Sequence, residues 1–193
     1  MSLNHALAQR AVADLLAALG HDPKDEPDFA QTPELVVEAL ERDWLCGYEV
    51  DIPNLFAGAL KNTLKTTAIV VVSGIAVSCL CPHHLLPSEG TATVAYLPGE
   101  VVLGLGTVAR LVDAYARRLT LQEQIGQNVV LSLMQQGRAK AAYCRLELRH
   151  GCLRLRGPKQ RDALVTSTHM AGAFETPLGQ SQLAVALRGE QPG

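Results

Sequence analysis

The chain has 193 residues, 48% of them hydrophobic, and a formal charge of −2. That is one domain of ordinary size with enough apolar material for a core, and no basic run or aromatic platform marks it for nucleic acid. No apolar stretch reaches 18 residues, which argues against a membrane-spanning helix. The N-terminus lacks the basic start and cleavage site of a signal peptide, so a cytoplasmic protein is expected.

Residues 4–19 place Ala8, Val12, Leu15, Leu16 and Leu19 at helical spacing, with Gly20 as a stop. A polar, proline-containing linker (21–33) follows. A second helix is expected from Thr32-Pro33, with Thr32 as N-cap, through Leu35, Val36, Ala39, Leu40 and Trp44 to near Gly47. Thr66–Val77 is dense in Val, Ile and Thr and reads as a buried strand. "GTATVAYLPGEVVLGL" (90–105) reads as two strand-like runs around Pro98-Gly99. Helices are expected over 107–118, with Val108, Leu111, Val112 and Tyr115 on one stripe, and over 121–136, with Leu121, Ile125, Val129 and Leu133. "KAAYCRLELRHGCLRLRG" (140–157) alternates as a strand does, and a last strand includes Leu164–Met170. Paired strands without a regular strand-helix repeat favour α+β with an antiparallel sheet. The expected organisation is an N-terminal helical region (1–50), a catalytic domain (51–176) and a loosely ordered tail (177–193).

Chemistry concentrates in "SCLCPHHLLP" (78–87). Five cysteines is an odd count for a chain read as cytoplasmic, which favours thiols or metal ligands over a disulfide framework. Cys81 and His84 have the C-x2-H spacing that lets a tight turn aim both at one zinc ion. The best third ligand lies in "RHGCLRLRG" (149–157). As an extended strand, that segment would turn His150, Cys152, Arg154 and Arg156 to one face. Arginines are seldom buried unpaired, so this face is expected to meet an anion. Cys46 and Cys144 read as small buried hydrophobes. Cys79 is open between packing neighbour, extra ligand and redox partner of Cys81. His5 and His21 read as surface residues, and His169 could be either buried or exposed.

These residues fall into ordered blocks. "CPHHLLP" resembles the C-E-H-H-L-x-P signature of the GTP cyclohydrolase I family. "AYLPGEVVLGLGTVARLVDAYARRLTLQEQI", "HGCLRLRG" and "VTSTHMAGAF" are similar to that family's following blocks, so the match runs from about Thr66 to Phe174. The resemblance implies a zinc-dependent enzyme with the tunnelling fold, a small antiparallel sheet with two helices packed on it. It implies a toroidal homodecamer with active sites where subunits meet. Residue by residue it implies Cys81, His84 and Cys152 as zinc ligands and His83 and His150 as acid/base groups. It further implies Gln122 and Glu123 on the guanine edge, and Arg110 and Arg156 on the triphosphate. The reaction implied converts GTP to 7,8-dihydroneopterin triphosphate and formate.

The departures concern the substrate. Pro82 stands where the family has Glu. Leu105-Gly106-Thr107 replaces L-S-K and loses a hydroxyl and a lysine. Glu34, Leu35 and Glu38 follow Thr32-Pro33 where the family has basic residues. Gln124 replaces an Arg, and Ser88 a large residue. Fewer cations weaken attraction for a triphosphate, although Arg154 could compensate beside Arg156. Three readings follow: an ordinary GTP cyclohydrolase I with a variant phosphate pocket, a divergent cyclohydrolase acting on a less phosphorylated purine substrate, and a non-catalytic zinc-bearing subunit. The intact Cys81, His83, His84, His150 and Cys152 argue against the third.

Overall fold

The computed structural model describes residues 3–63 and 65–188. The helices are α1 (His5–Ala18), α2 (Thr32–Ala39), α3 (Ile52–Leu55), α4 (Leu105–Ala116), α5 (Gln122–Gln135), α6 (Gly151–Arg154) and α7 (Pro177–Leu187). The strands are β1 (Leu60–Lys61), β2 (Val70–Leu80), β3 (Pro87–Leu97), β4 (Val101–Val102), β5 (Ala141–His150) and β6 (Val165–Gly172). β2, β3, β5 and β6 form one antiparallel sheet in that order, and β1 pairs with β4. The class is α+β, as expected.

The strands alternate as half-buried strands must. Val77, Cys79, Val94, Tyr96, Cys144, Leu146 and Leu148 point to one face, where they meet Val108, Leu111 and Val112 of α4 and Ile125, Val129 and Leu133 of α5. This is the main core, and it is the two-helices-on-a-sheet arrangement implied by the family resemblance. β2 carries a bulge between Val72 and Ile75, where Gly74 has φ +68°, a backbone that favours glycine over any residue with a Cβ.

Several expectations are corrected. The Pro98-Gly99 turn does not pair its flanking runs as a hairpin: β3 lies between β2 and β5, and the second run pairs with β1. Thr32 is the first residue of α2 rather than its cap, and Gln31 in the cap position makes no side-chain cap bond. The stripe of α1 is present, but the helix buries no residue; Leu15 and Leu19 are 59% and 68% exposed. The expected loose tail forms α7 over Pro177–Leu187. Thr176 caps it by accepting from Gly179 N–H, and Leu183 is buried with Phe174, Tyr143, Ala95 and Ala141 on the second face of the sheet. Burying that leucine contributes roughly 2 kcal/mol. Residues 189–193 of that tail lie outside the described residues.

Candidate metal centre

β2 and β3 are joined by the turn that carries the quoted motif. Cys81 N–H donates to Leu86 O (3.0 Å), and Leu85 N–H donates back to Cys81 O (2.8 Å). Pro82 has no N–H to offer, but the turn's bonds run from Cys81, His84 and Leu85, so none is lost. The wound turn brings Cys81 Sγ to 3.7 Å from His84 Nδ1 and 3.9 Å from His83 Nδ1. Both imidazoles are exposed.

The third residue arrives from β5, by a different route from the one expected. The strand ends at His150, and Gly151–Arg154 is a helical turn. A strand face shared by His150, Cys152, Arg154 and Arg156 therefore does not exist. Gly151 makes the turn possible: a Cβ there would lie 2.7 Å from Pro87 O. Ser88 pairs with His150 across the sheet, so the turn after β5 sits beside the turn after β2. Cys81, His84 and Cys152 converge, with their ligand atoms within 4.8 Å of one another.

This donor set fits zinc. Ligands at 2.0–2.3 Å in a tetrahedron lie about 3.3–3.8 Å apart, and the Cys81–His84 separation is 3.7 Å. Two thiols and one imidazole make three ligands, which leaves a fourth position open, as catalytic zinc sites do. Cys79 does not join them. It is 2% exposed in the main core, and burial pushes its thiol up to about 11, which keeps it in the neutral form that packs. Cys144 is likewise core, with a thiol pushed up to about 12 by burial. Burial and the adjoining Cys81 also raise Cys152. Arg156 closes one rim, with Nη1 2.6 Å from His84 Nε2.

His150 is held between two buried polar residues. Gln122, 3% exposed, donates from Nε2 to Leu146 O (3.1 Å), Val165 O (3.0 Å) and Ser167 Oγ (3.1 Å). The two carbonyls can only accept, so Gln122 Oε1 is left as the acceptor for His150, 2.7 Å away. His150 therefore carries its proton on Nε2, and its bare Nδ1 accepts from Ser88 Oγ at 3.0 Å. Burial pulls the His150 pKa below the ordinary 6.5, partly opposed by the Glu123 carboxylate. Gln122, expected at a guanine edge, is thus engaged inside the protein, while its neighbour Glu123 is exposed. Ser88, noted in the sequence only as a departure, is 1% exposed and bonded to His150. A small polar residue at a buried strand position was the available signal.

The arginines divide. Arg156 is at the metal cluster, and Arg154 donates from Nε to Arg161 O (2.7 Å) in the loop beyond α6. Arg110 is elsewhere. α4 begins beside Tyr96, whose hydroxyl accepts from Leu103 N–H at 3.0 Å, and Tyr96 is eight residues along β3 from Ser88, about 26 Å. Arg110, five residues into α4, lines a cavity with Asn54, Leu55 and Thr107 that includes no residue of the metal cluster. Thr107 turns inward and donates to Leu55 O (3.3 Å). His169 packs beside Gly126, on the sheet side of α5.

Among the described residues no helix is long and apolar enough to cross a membrane. The GTP cyclohydrolase I family model matches residues 8–187. The chain is 35% identical over 173 residues to a GTP cyclohydrolase 1 of Pseudomonas putida, covering 89% of this chain and 90% of the relative. It is 34% identical over 181 residues to a GTP cyclohydrolase 1 of Alkalilimnicola ehrlichii, covering 93% and 96%. A crystal structure of the apo form of an archaeosine synthase QueF-Like matches at 16% identity with a TM-score of 0.46, covering 56% of this chain and 98% of that one. With the family model matching nearly the whole chain and the ligand set converging at one end of the sheet, this protein belongs to the GTP cyclohydrolase I family.

Proposed function

We propose that this protein is a zinc-dependent GTP cyclohydrolase that opens the imidazole ring of GTP, releases formate and yields 7,8-dihydroneopterin triphosphate. The carrying observation is the convergence of Cys81, His84 and Cys152 with an exposed imidazole, His83, beside them. When bound there, zinc supplies Lewis-acid activation of water for attack at the purine C8. His83 delivers a proton to the ring nitrogen that makes C8 electrophilic, work an imidazole does near neutral pH.

Glu123 accepts from the N1–H and N2–H donors of guanine, an exposed carboxylate being matched to adjacent donors. Gln122 acts behind it, fixing the tautomer and plane of His150. His150 stands at the end of β5, two residues before Cys152, as a second proton-holding group. Arg110, Arg154 and Arg156 take the phosphates.

Within one chain Arg110 lies apart from the metal cluster. That separation favours a ring-shaped homo-oligomer, a homodecamer by family resemblance, in which a second copy brings its own Arg110 to this site. The unburied stripe of α1 is consistent with such an assembly. The expected setting is cytoplasmic pterin and tetrahydrofolate biosynthesis within one-carbon metabolism. The test offers GTP, GDP, GMP and guanosine to the zinc-loaded protein and follows formate together with a pterin absorbance band. Preference for GTP with pterin formation is expected. Formate from none of the four refutes the reading.

A further inference from the structure

The segment 154–162, which starts at the last residue of α6, carries Arg154, Arg156, Lys159 and Arg161 against a single carboxylate, Asp162. Outside it, Arg10, Arg42, Arg117, Arg138 and Arg145 have a carboxylate partner, and the remaining described cations are scattered along the chain rather than gathered in one loop. Among the described residues none of the four cations of this segment has such a partner. Four unpaired cations in eight residues repel one another, so something other than charge pairing holds them together.

Backbone bonds do so. Leu155 N–H donates to Gly151 O (2.9 Å), Lys159 N–H to Arg156 O (3.2 Å) and Gln160 N–H to Leu153 O (3.0 Å). Arg154 Nε donates to Arg161 O. Gly157 and Lys159 take left-handed backbone, at φ +55° and +52°, a conformation that costs a lysine roughly 1 kcal/mol. The folded loop leaves a cavity of about 440 Å³ lined by Arg154, Leu155, Lys159 and Arg161, within the size range of small-ligand sites. It adjoins the metal centre, since Cys152 and Arg154 share α6 and Arg156 touches His84. Meanwhile Thr107, at the position of the family's lysine, is spent on Leu55 O.

We infer that the Arg154–Arg161 loop is a polyphosphate-binding site, in which Lys159 and Arg161 join Arg154 to hold the triphosphate end of the nucleotide. This rests on the proposed function for the identity of the nucleotide, but not for the binding of a polyphosphate. Lys159 and Arg161 supply the cations missing at Glu34, Leu35 and Thr107. A triphosphate is matched to them because its charge of three to four is spread along a chain, as theirs is.

The test uses the full-length zinc-loaded protein and the double variant Lys159→Asn, Arg161→Gln. Asn tolerates left-handed backbone, and Arg161 contributes only its carbonyl to the loop, so the fold and zinc content should persist, as circular dichroism and metal analysis will read. Calorimetry with inorganic tripolyphosphate should give saturable binding to the wild type and at least tenfold weaker binding to the variant. With GTP, KM should rise tenfold to a hundredfold while kcat falls less. With guanosine the wild type and variant should differ less than with GTP, which assigns the site to the substrate's phosphates; an equal loss on both makes the loop a support of the metal centre and overturns the inference. Tripolyphosphate binding equal in both proteins, or absent from the wild type, also overturns it. A wild type that binds tripolyphosphate but releases no formate from GTP refutes the proposed activity while leaving this site standing.

Discussion

Gln122→Leu separates two roles for the glutamine, and the structure sets the size of the effect. The side chain is 3% exposed and serves Leu146 O, Val165 O, Ser167 Oγ and His150 Nε2. Leucine of similar volume removes both the donor and the acceptor. Each buried group left without a partner costs about 1–3 kcal/mol, while the added apolar surface returns about 1 kcal/mol. Some orphaned groups will find other partners, so a net loss of about 2–4 kcal/mol is expected. Urea unfolding at fixed protein concentration should show the midpoint falling by about 1–2 M at the slopes usual for small proteins. In 15N-histidine spectra, the His150 signal should change from a fixed Nε2–H form to a mixture of tautomers. Wild-type stability and an unchanged His150 spectrum, with KM for GTP raised tenfold or more, would refute the reasoning and return Gln122 to the guanine edge.

Cys152→Ser should lose zinc and activity together, read by metal analysis and formate release; retained zinc would overturn the ligand assignment. His83→Ala should keep its zinc and lose about 10²–10⁴ in kcat, and loss of metal instead would mean that the adjacent histidines are exchanged. Ser88→Ala should lower kcat with zinc content unchanged, by freeing His150 Nδ1 from its donor, and Ser88→Thr should restore it; an Ala variant with full kcat would leave Ser88 a packing residue. In metal-stripped protein, iodoacetamide at pH 8 should label the accessible Cys81 but spare Cys79 and Cys144. Those two thiols are raised to about 11 and about 12, so the reactive thiolate appears only as the pH climbs toward those values. Labelling of either at pH 8 without unfolding, read by mass spectrometry, would contradict their burial.

The sequence alone determined the parts whose signals are local. β-branched density carried β2, a strand-like run ending at a Pro-Gly turn carried β3 and period-two alternation carried β5, while helical spacing carried α1, α4 and α5, because these signals are set by the backbone's own geometry. Cys81 and His84 were legible as a pair because three residues of one turn fix their separation. Cys152 was legible as the third member of the cluster through family resemblance, although the face argument beside it failed. The alternation in "RHGCLRLRG" continues past the point where Gly151, with Pro87 O against it, lets the chain wind into α6. α7 escaped notice because its small residues carry little amphipathic signal; Leu183, with Leu187 beside it, meets the core.

Tertiary structure alone decided which strands pair. It placed β3 between β2 and β5 and brought Ser88 beside His150, 62 residues on. It also turned Gln122 inward, since nothing adjacent in sequence announces that Leu146 and Val165 will present their carbonyls to it. Hydrogen-bond partners distant along the chain exist only after the sheet has formed. Residue type therefore set the chemistry available to this protein, while packing settled which of those residues face a ligand and which face one another.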